Sequence, residues 1–192
     1  MTLPTLIQKH NTQVIETKLK KFYTTMNQAI TLSEVDNGPC KYWWDTLSTL
    51  CPKGANSSFS EECLDTYYET YLKKYLKNVD SVSFKEKVSF QQQNVLQIYL
   101  ADGSGFYLSY RGQDYQFFPN SANFKKKNKV RGIDYFVFGF YPNGENHPGK
   151  KFEPYVFGTW DGTMEYLKNN NSYAKIIQLN GWKIPDDYPL KL

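Results

Sequence analysis

The side chains able to do chemistry are few, and they are dispersed. Histidine occurs only at His10 and His147, and neither stands in a Ser-His-Asp arrangement or an HExxH segment. No glycine-rich loop of the kind that cradles phosphate is present. Carboxylates alone can run acid–base chemistry, and Asp102, Asp134, Asp161, Asp186 and Asp187 are the candidates. Asp102 and Asp161 each precede Gly, the context that tight turns require, and no pair is marked out as acid and base. The chain therefore reads as non-enzymatic, with no catalytic residue and no cofactor assigned. Calcium is the more physical alternative, because it takes several carboxylate and loop-carbonyl oxygens. Asp161, Asp186 and Asp187 could contribute to such a site, but no EF-hand spacing is present and no metal ligand is assigned.

Cysteine chemistry is confined to Cys40, Cys51 and Cys63, which fall close together and have no counterpart elsewhere. Without a CxxC pair or a nearby histidine, zinc is disfavoured. A disulfide suits a domain outside the cytoplasm. Three cysteines cannot all pair, and Cys51–Cys63 and Cys40–Cys51 are both open. The alternative is three buried thiols in a reducing compartment. Basic residues give one local run, Lys125, Lys126, Lys127, Lys129 and Arg131, within a chain of net charge +4. Such runs are usually solvated loops, and the remaining basic residues are dispersed, which argues against a nucleic-acid face.

These residues hang on elements that the hydrophobic periodicity defines. Ile15, Leu19, Phe22, Met26 and Ala29/Ile30 recur at helical spacing with polar residues between them, so residues 1–36 read as an amphipathic helix. Asp36-Asn37-Gly38-Pro39 is its stop signal. Residues 37–192 read as a globular α+β head. Within it, Tyr42, Trp43, Trp44 and Asp45 supply bulk that packs the helix on the body, with stacking on a sugar or base as the lesser reading. A loop from Cys51 leads to a helix over about 60–78, started by Ser60-Glu61-Glu62 and carrying a Leu64, Tyr68, Tyr71, Tyr75 face.

From Val79 the period changes to two. Val95–Leu100, an Ala101-Asp102-Gly103 turn and Phe106–Tyr110 form a hairpin. Arg111-Gly112-Gln113-Asp114 is a second turn before a strand at Tyr115–Phe118, and Ile133–Tyr141 is a further aromatic strand closed by Pro142-Asn143-Gly144. A short helix is expected at about 163–168, Tyr173–Leu179 is strand or helix, and a turn-rich tail follows.

The opening, MTLPTLIQKHNTQVIETKLKKFYTTMNQAITLSEVDNG, resembles the region just after the hydrophobic core of a prepilin-type N-terminus. LADGSGFYLSY looks like the ADGS hairpin of that family, DYFVFGFYPNG like its Asp-x-Phe strand, and GWKIPDDYP like the ending of some members. The chain departs from the pattern at Phe117-Phe118-Pro119-Asn120-Ser121, where an Asp-bearing turn is common. The leader, the processing Gly–Phe and most of the hydrophobic half are not part of the sequence, so a start within the family's helix is expected, with residues 1–7 as a remnant of its anchoring part.

The resemblance implies a pilin-like or pseudopilin fold: a long helix on an antiparallel sheet, an extra helix in the connection and an irregular C-terminal region. It implies a structural subunit of a type II secretion or type IV pilus filament. Helix packing would fall to Leu3, Leu6, Ile7, Val14, Ile15, Leu19 and Phe22. The partners would be other pilin-like subunits, the inner-membrane assembly machinery and, through an N-terminal anchor, the membrane. The head would lie outside the cytoplasm, and the chain as given would be soluble. Some members hold calcium in the C-terminal loop. The alternative is an extracytoplasmic module binding carbohydrate, DNA or an exported protein through exposed aromatics and the 125–131 loop.

Overall fold

The computed structural model describes residues 3–43, 51, 59–88, 92–109, 114–142 and 151–192, with side chains in the first helix from residue 8 onward. The architecture is α+β: an N-terminal helix, a six-stranded antiparallel sheet and further helices.

Helix α1 spans Leu3–Asn37 and ends where Gly38 takes φ +73°, a left-handed turn that a side chain would strain. Its stripe of Leu19, Phe22, Met26, Ala29 and Ile30 is buried, and Ile15 packs at the stripe's edge. After a 3-10 turn at Cys40–Tyr42, Trp43 lies buried against the Tyr71 ring at 4.4 Å. Helix α2 covers Glu61–Tyr71, and the Ser60 side chain accepts from the Cys63 N–H at its start. It is shorter than the Tyr/Leu periodicity suggests. Leu72 leaves helical geometry at φ −122°, and Leu72 and Leu76 continue into the core through a turn that delivers the chain to the sheet.

The strands are β1 (Val79–Lys85), β2 (Val95–Leu100), β3 (Gly105–Ser109), β4 (Asp114–Phe118), β5 (Phe136–Phe140) and β6 (Phe152–Pro154). Every strand pairs with its sequence neighbour, so the sheet is a meander in the order β1-β2-β3-β4-β5-β6. The aromatic run at 133–141 contributes only Phe136–Phe140. Residues 132–134 turn instead, held by Val130 donating to an Asp134 carboxylate oxygen at 2.7 Å. Helix α3 (Met164–Asn169) is capped by the Thr163 hydroxyl, and α4 spans Tyr173–Leu179. The strand-or-helix ambiguity at 173–179 thus resolves as helix.

One sheet face carries Leu96, Ile98, Phe106, Leu108, Tyr115, Phe117, Phe136 and Phe138 into a core shared with α1, α2 and α4. On the other face Val95, Tyr107, Phe118 and Phe124 form a second cluster. Phe124 comes from a 3-10 helix at Ser121–Lys125, and its ring lies over Gly105, where an added Cβ would sit 2.7 Å from a ring carbon. This second layer explains why strands of a simple meander are buried on both faces. Trp44, Asp45, the 52–58 loop, the turn at 111–113, Asn143-Gly144 and His147 lie outside the described residues.

Candidate functional site

Helix α1 is the element to which both the apolar stripe and the resemblance point, and the structure divides it in two. From Glu16 onward it is fastened to the head. Phe22 packs among four rings, Phe117 at 4.3 Å, Phe106 at 5.1 Å, Phe138 at 5.3 Å and Phe152 at 5.4 Å between centroids. Polar contacts flank this stripe. Lys18 donates to the Pro119 carbonyl at 2.8 Å, Lys21 pairs with Asp102 at 2.8 Å and Asn27 donates to the Phe152 carbonyl at 3.0 Å. The Tyr23 hydroxyl donates to Glu153 at 3.0 Å, and burial followed by that carboxylate pushes its pKa up to about 12. At the helix end Asp36 meets Lys74 and Tyr75, and the Lys74 contact foremost lowers its pKa.

The uppermost fastening is Glu16. Its carboxylate is buried and accepts from Lys183 Nζ and from the Ile184 N–H, each at 2.8 Å, so it ties the C-terminal tail to the helix. A buried carboxylate needs such partners. Before Glu16 contact with the body thins: Gln8, Lys9, His10, Asn11 and Gln13 are exposed, Thr12 and Val14 are half-buried, and Ile15 still packs at the core's edge.

The seven residues expected to carry helix packing therefore separate. Leu19 and Phe22 lie inside the head core, and Val14 and Ile15 lie at the boundary. Leu3, Leu6 and Ile7 belong to the projecting turns, and their side chains lie outside the described residues. Glu16 was not singled out by sequence, although its position three residues before Leu19 puts it on the edge of the apolar stripe.

The cysteines pair as Cys51–Cys63, with Cα atoms 5.7 Å apart, and this settles the two open pairings. Cys40 carries the unpaired thiol. Its backbone N–H donates to Glu34 at 2.9 Å, and burial together with that carboxylate pushes the thiol up to about 12.

The carboxylates do not converge. Asp102 closes the β2–β3 hairpin by accepting from the Ser104 N–H at 3.1 Å. Burial raises its pKa, but the hydrogen bonds from Lys21 and Ser104 outweigh that and hold the carboxyl down at about 2. Asp134 is buried against Lys126 at 2.8 Å. Asp161 accepts from Thr163 within its own turn, Asp187 pairs with Lys168 at 2.6 Å, and Asp186 is exposed. Among the described residues no group of three His, Cys, Asp or Glu side chains is placed to hold a metal ion.

The basic loop is partly built into the fold. Lys126 is tied to Asp134, and Arg131 sits mostly buried beside the Tyr155 ring at 6.0 Å, its pKa lowered by burial. Lys125 and Lys127 are exposed. Tyr67, Tyr68 and Tyr71 face the core, while Tyr42 and Phe157 are exposed. Among the described residues no helix is long and apolar enough to cross a membrane.

Residues 5–192 match the model of a family of unknown function. No curated protein and no solved structure matches the chain.

Proposed function

The chain belongs to that family, DUF6613, whose description assigns no activity, and on its own residues we propose a non-enzymatic, pilin-like structural subunit that assembles through α1. The observation that carries this reading is the division of the helix. It has 35 residues, a length of about 50 Å at 1.5 Å per residue, and buries one face in the head from Glu16 onward while residues 8–11 and 13 stand exposed. A helix anchored at one end by a sheet and extended at the other presents its projecting turns to neighbouring copies. Leu3, Leu6, Ile7 and Val14 make that intermolecular contact, and Leu19 and Phe22 hold the helix in register. The assembly is a filament of the type II secretion or type IV pilus kind, with inner-membrane machinery as further partner. A head outside the cytoplasm agrees with the Cys51–Cys63 disulfide, since such bonds persist in oxidising compartments. The alternative, a binding module using the 125–131 loop, is less favoured because Lys126 and Arg131 are engaged within the fold.

The test is copy-to-copy cross-linking in the native host's envelope fraction, comparing the wild type with Ile7→Glu. The expected result is a ladder of multimers that the variant abolishes while the purified head melts as before. A wild type that gives no multimers, or a variant that cross-links equally well, overturns the assignment.

A further inference from the structure

The sheet has an open edge at β1. This strand is the longest of the six and pairs only with β2, so among the described residues its outer backbone groups face no other strand. Natural edges are commonly blunted by proline or by inward charges. Here the charges Asp80 and Lys85 stand toward the ends, and the middle is Ser81-Val82-Ser83-Phe84. Val82 pairs with Ile98 and Phe84 with Leu96, which places both on the helix-bearing face. Helix α2 runs beside this edge, and the two enclose a groove of about 620 Å³. Tyr68, Leu76, Val82 and Phe84 supply its apolar lining. Glu61, Asp65 and Glu69 recur every fourth residue along its α2 wall, and among the described residues lining it the cation is Lys73, engaged by Glu69 at 2.6 Å. Burial foremost, then the neighbouring Glu69 charge, raises the pKa of Asp65, and Lys73 only partly offsets this.

We propose that this groove binds an extended, lysine- or arginine-bearing segment of a partner protein, added antiparallel to β1 as a seventh strand, the direction of every pair in this sheet. A peptide strand matches the repeat of the edge N–H and C=O groups in place of water, and alternate side chains of an added strand project toward α2. A Lys or Arg at those positions lays its aliphatic stem over Val82 and Phe84 and brings its charge to the α2 carboxylates. The surface lies on α2 and β1, apart from the projecting turns of α1, so its failure leaves the assembly reading untouched.

The experiment titrates the purified chain with a labelled, end-capped peptide of alternating Lys and Val, read by fluorescence anisotropy. Two further peptides carry N-methyl groups on one or the other alternate set of amides. Saturable binding is expected, with only one of the two N-methylated peptides weakened, by at least about tenfold, since one set alone faces β1. Asp65→Lys with Glu69→Lys should weaken the parent peptide similarly, with circular dichroism confirming the fold. No binding, or equal binding by both N-methylated peptides, overturns the proposal. So does concentration-dependent self-association that the double variant removes, which would make a second copy the occupant.

Discussion

At Phe22 four sheet rings meet a single helix side chain, and none of them is exposed by more than a few per cent. Truncation there removes ring contacts from strands β3 to β6 at once. Phe22→Ala should therefore cost about 3–5 kcal/mol, seen as a lower denaturant midpoint at unchanged slope. A loss below about 1 kcal/mol would mean that α1 does not depend on this ring. The helical spacing alone singled out Phe22, because burial follows period. Asp102 was legible only as a turn residue, since its partner Lys21 lies 81 positions away. Its carboxyl is held at about 2, below the ordinary 3.8, so it contributes stability above the unfolded pKa and loses it as pH falls from about 4 toward 2. Asp102→Asn should lower stability at neutral pH by a fraction of a kcal/mol, because Lys21 is half-exposed. The difference from wild type should vanish near pH 2; a difference that persists there would refute the ion-pair account.

Elements with long periodic signals were readable, and those set by distant contacts were not. Helix α1 and the β2–β3 hairpin follow their local patterns closely, from the stripe at 15–30 and from Asp102-Gly103. Strand β6 has three residues including Pro154, too short to carry a period, and exists because Phe152 packs beside Phe138 at 5.2 Å. Helix α4 was ambiguous because Ile176, Ile177 and their neighbours suit either element, and docking on α1 and β5 decides it. The tail after α4 is held to α1 by Glu16, at a separation of 167 residues that no local pattern reveals. Glu16→Ala strands the Ile184 N–H and should cost about 1–3 kcal/mol. Hydrogen exchange should rise over 180–192 while α2 is unchanged; unaltered exchange in the tail would show that Trp182 and Tyr188 hold it unaided.

Across the whole molecule, the α+β class and the meander followed from the order of signals, while the second layer under Phe124 did not, since nothing local marks a 3-10 turn as a lid. The disulfide bridges a sequence separation of 12 beside α2. Its reduction should lower stability by about 3 kcal/mol in the chain-entropy view, measurable as a melting shift under reductant; no shift would mean that the bond does not stabilise the fold. The meander also carries a consequence for synthesis. Strands β2, β3 and β4 pair across short connections, but α1 emerges before the sheet and its contacts arrive late. Pro119 lies 101 residues after Lys18, and Ile184 lies 168 residues after Glu16. At a ribosomal rate of roughly 5–20 residues per second, Glu16 waits on the order of 10–30 s for Ile184, and the Phe22 ring waits nearly as long for Phe152. The apolar face of the spine is thus left open on the nascent chain until β6 and the tail arrive.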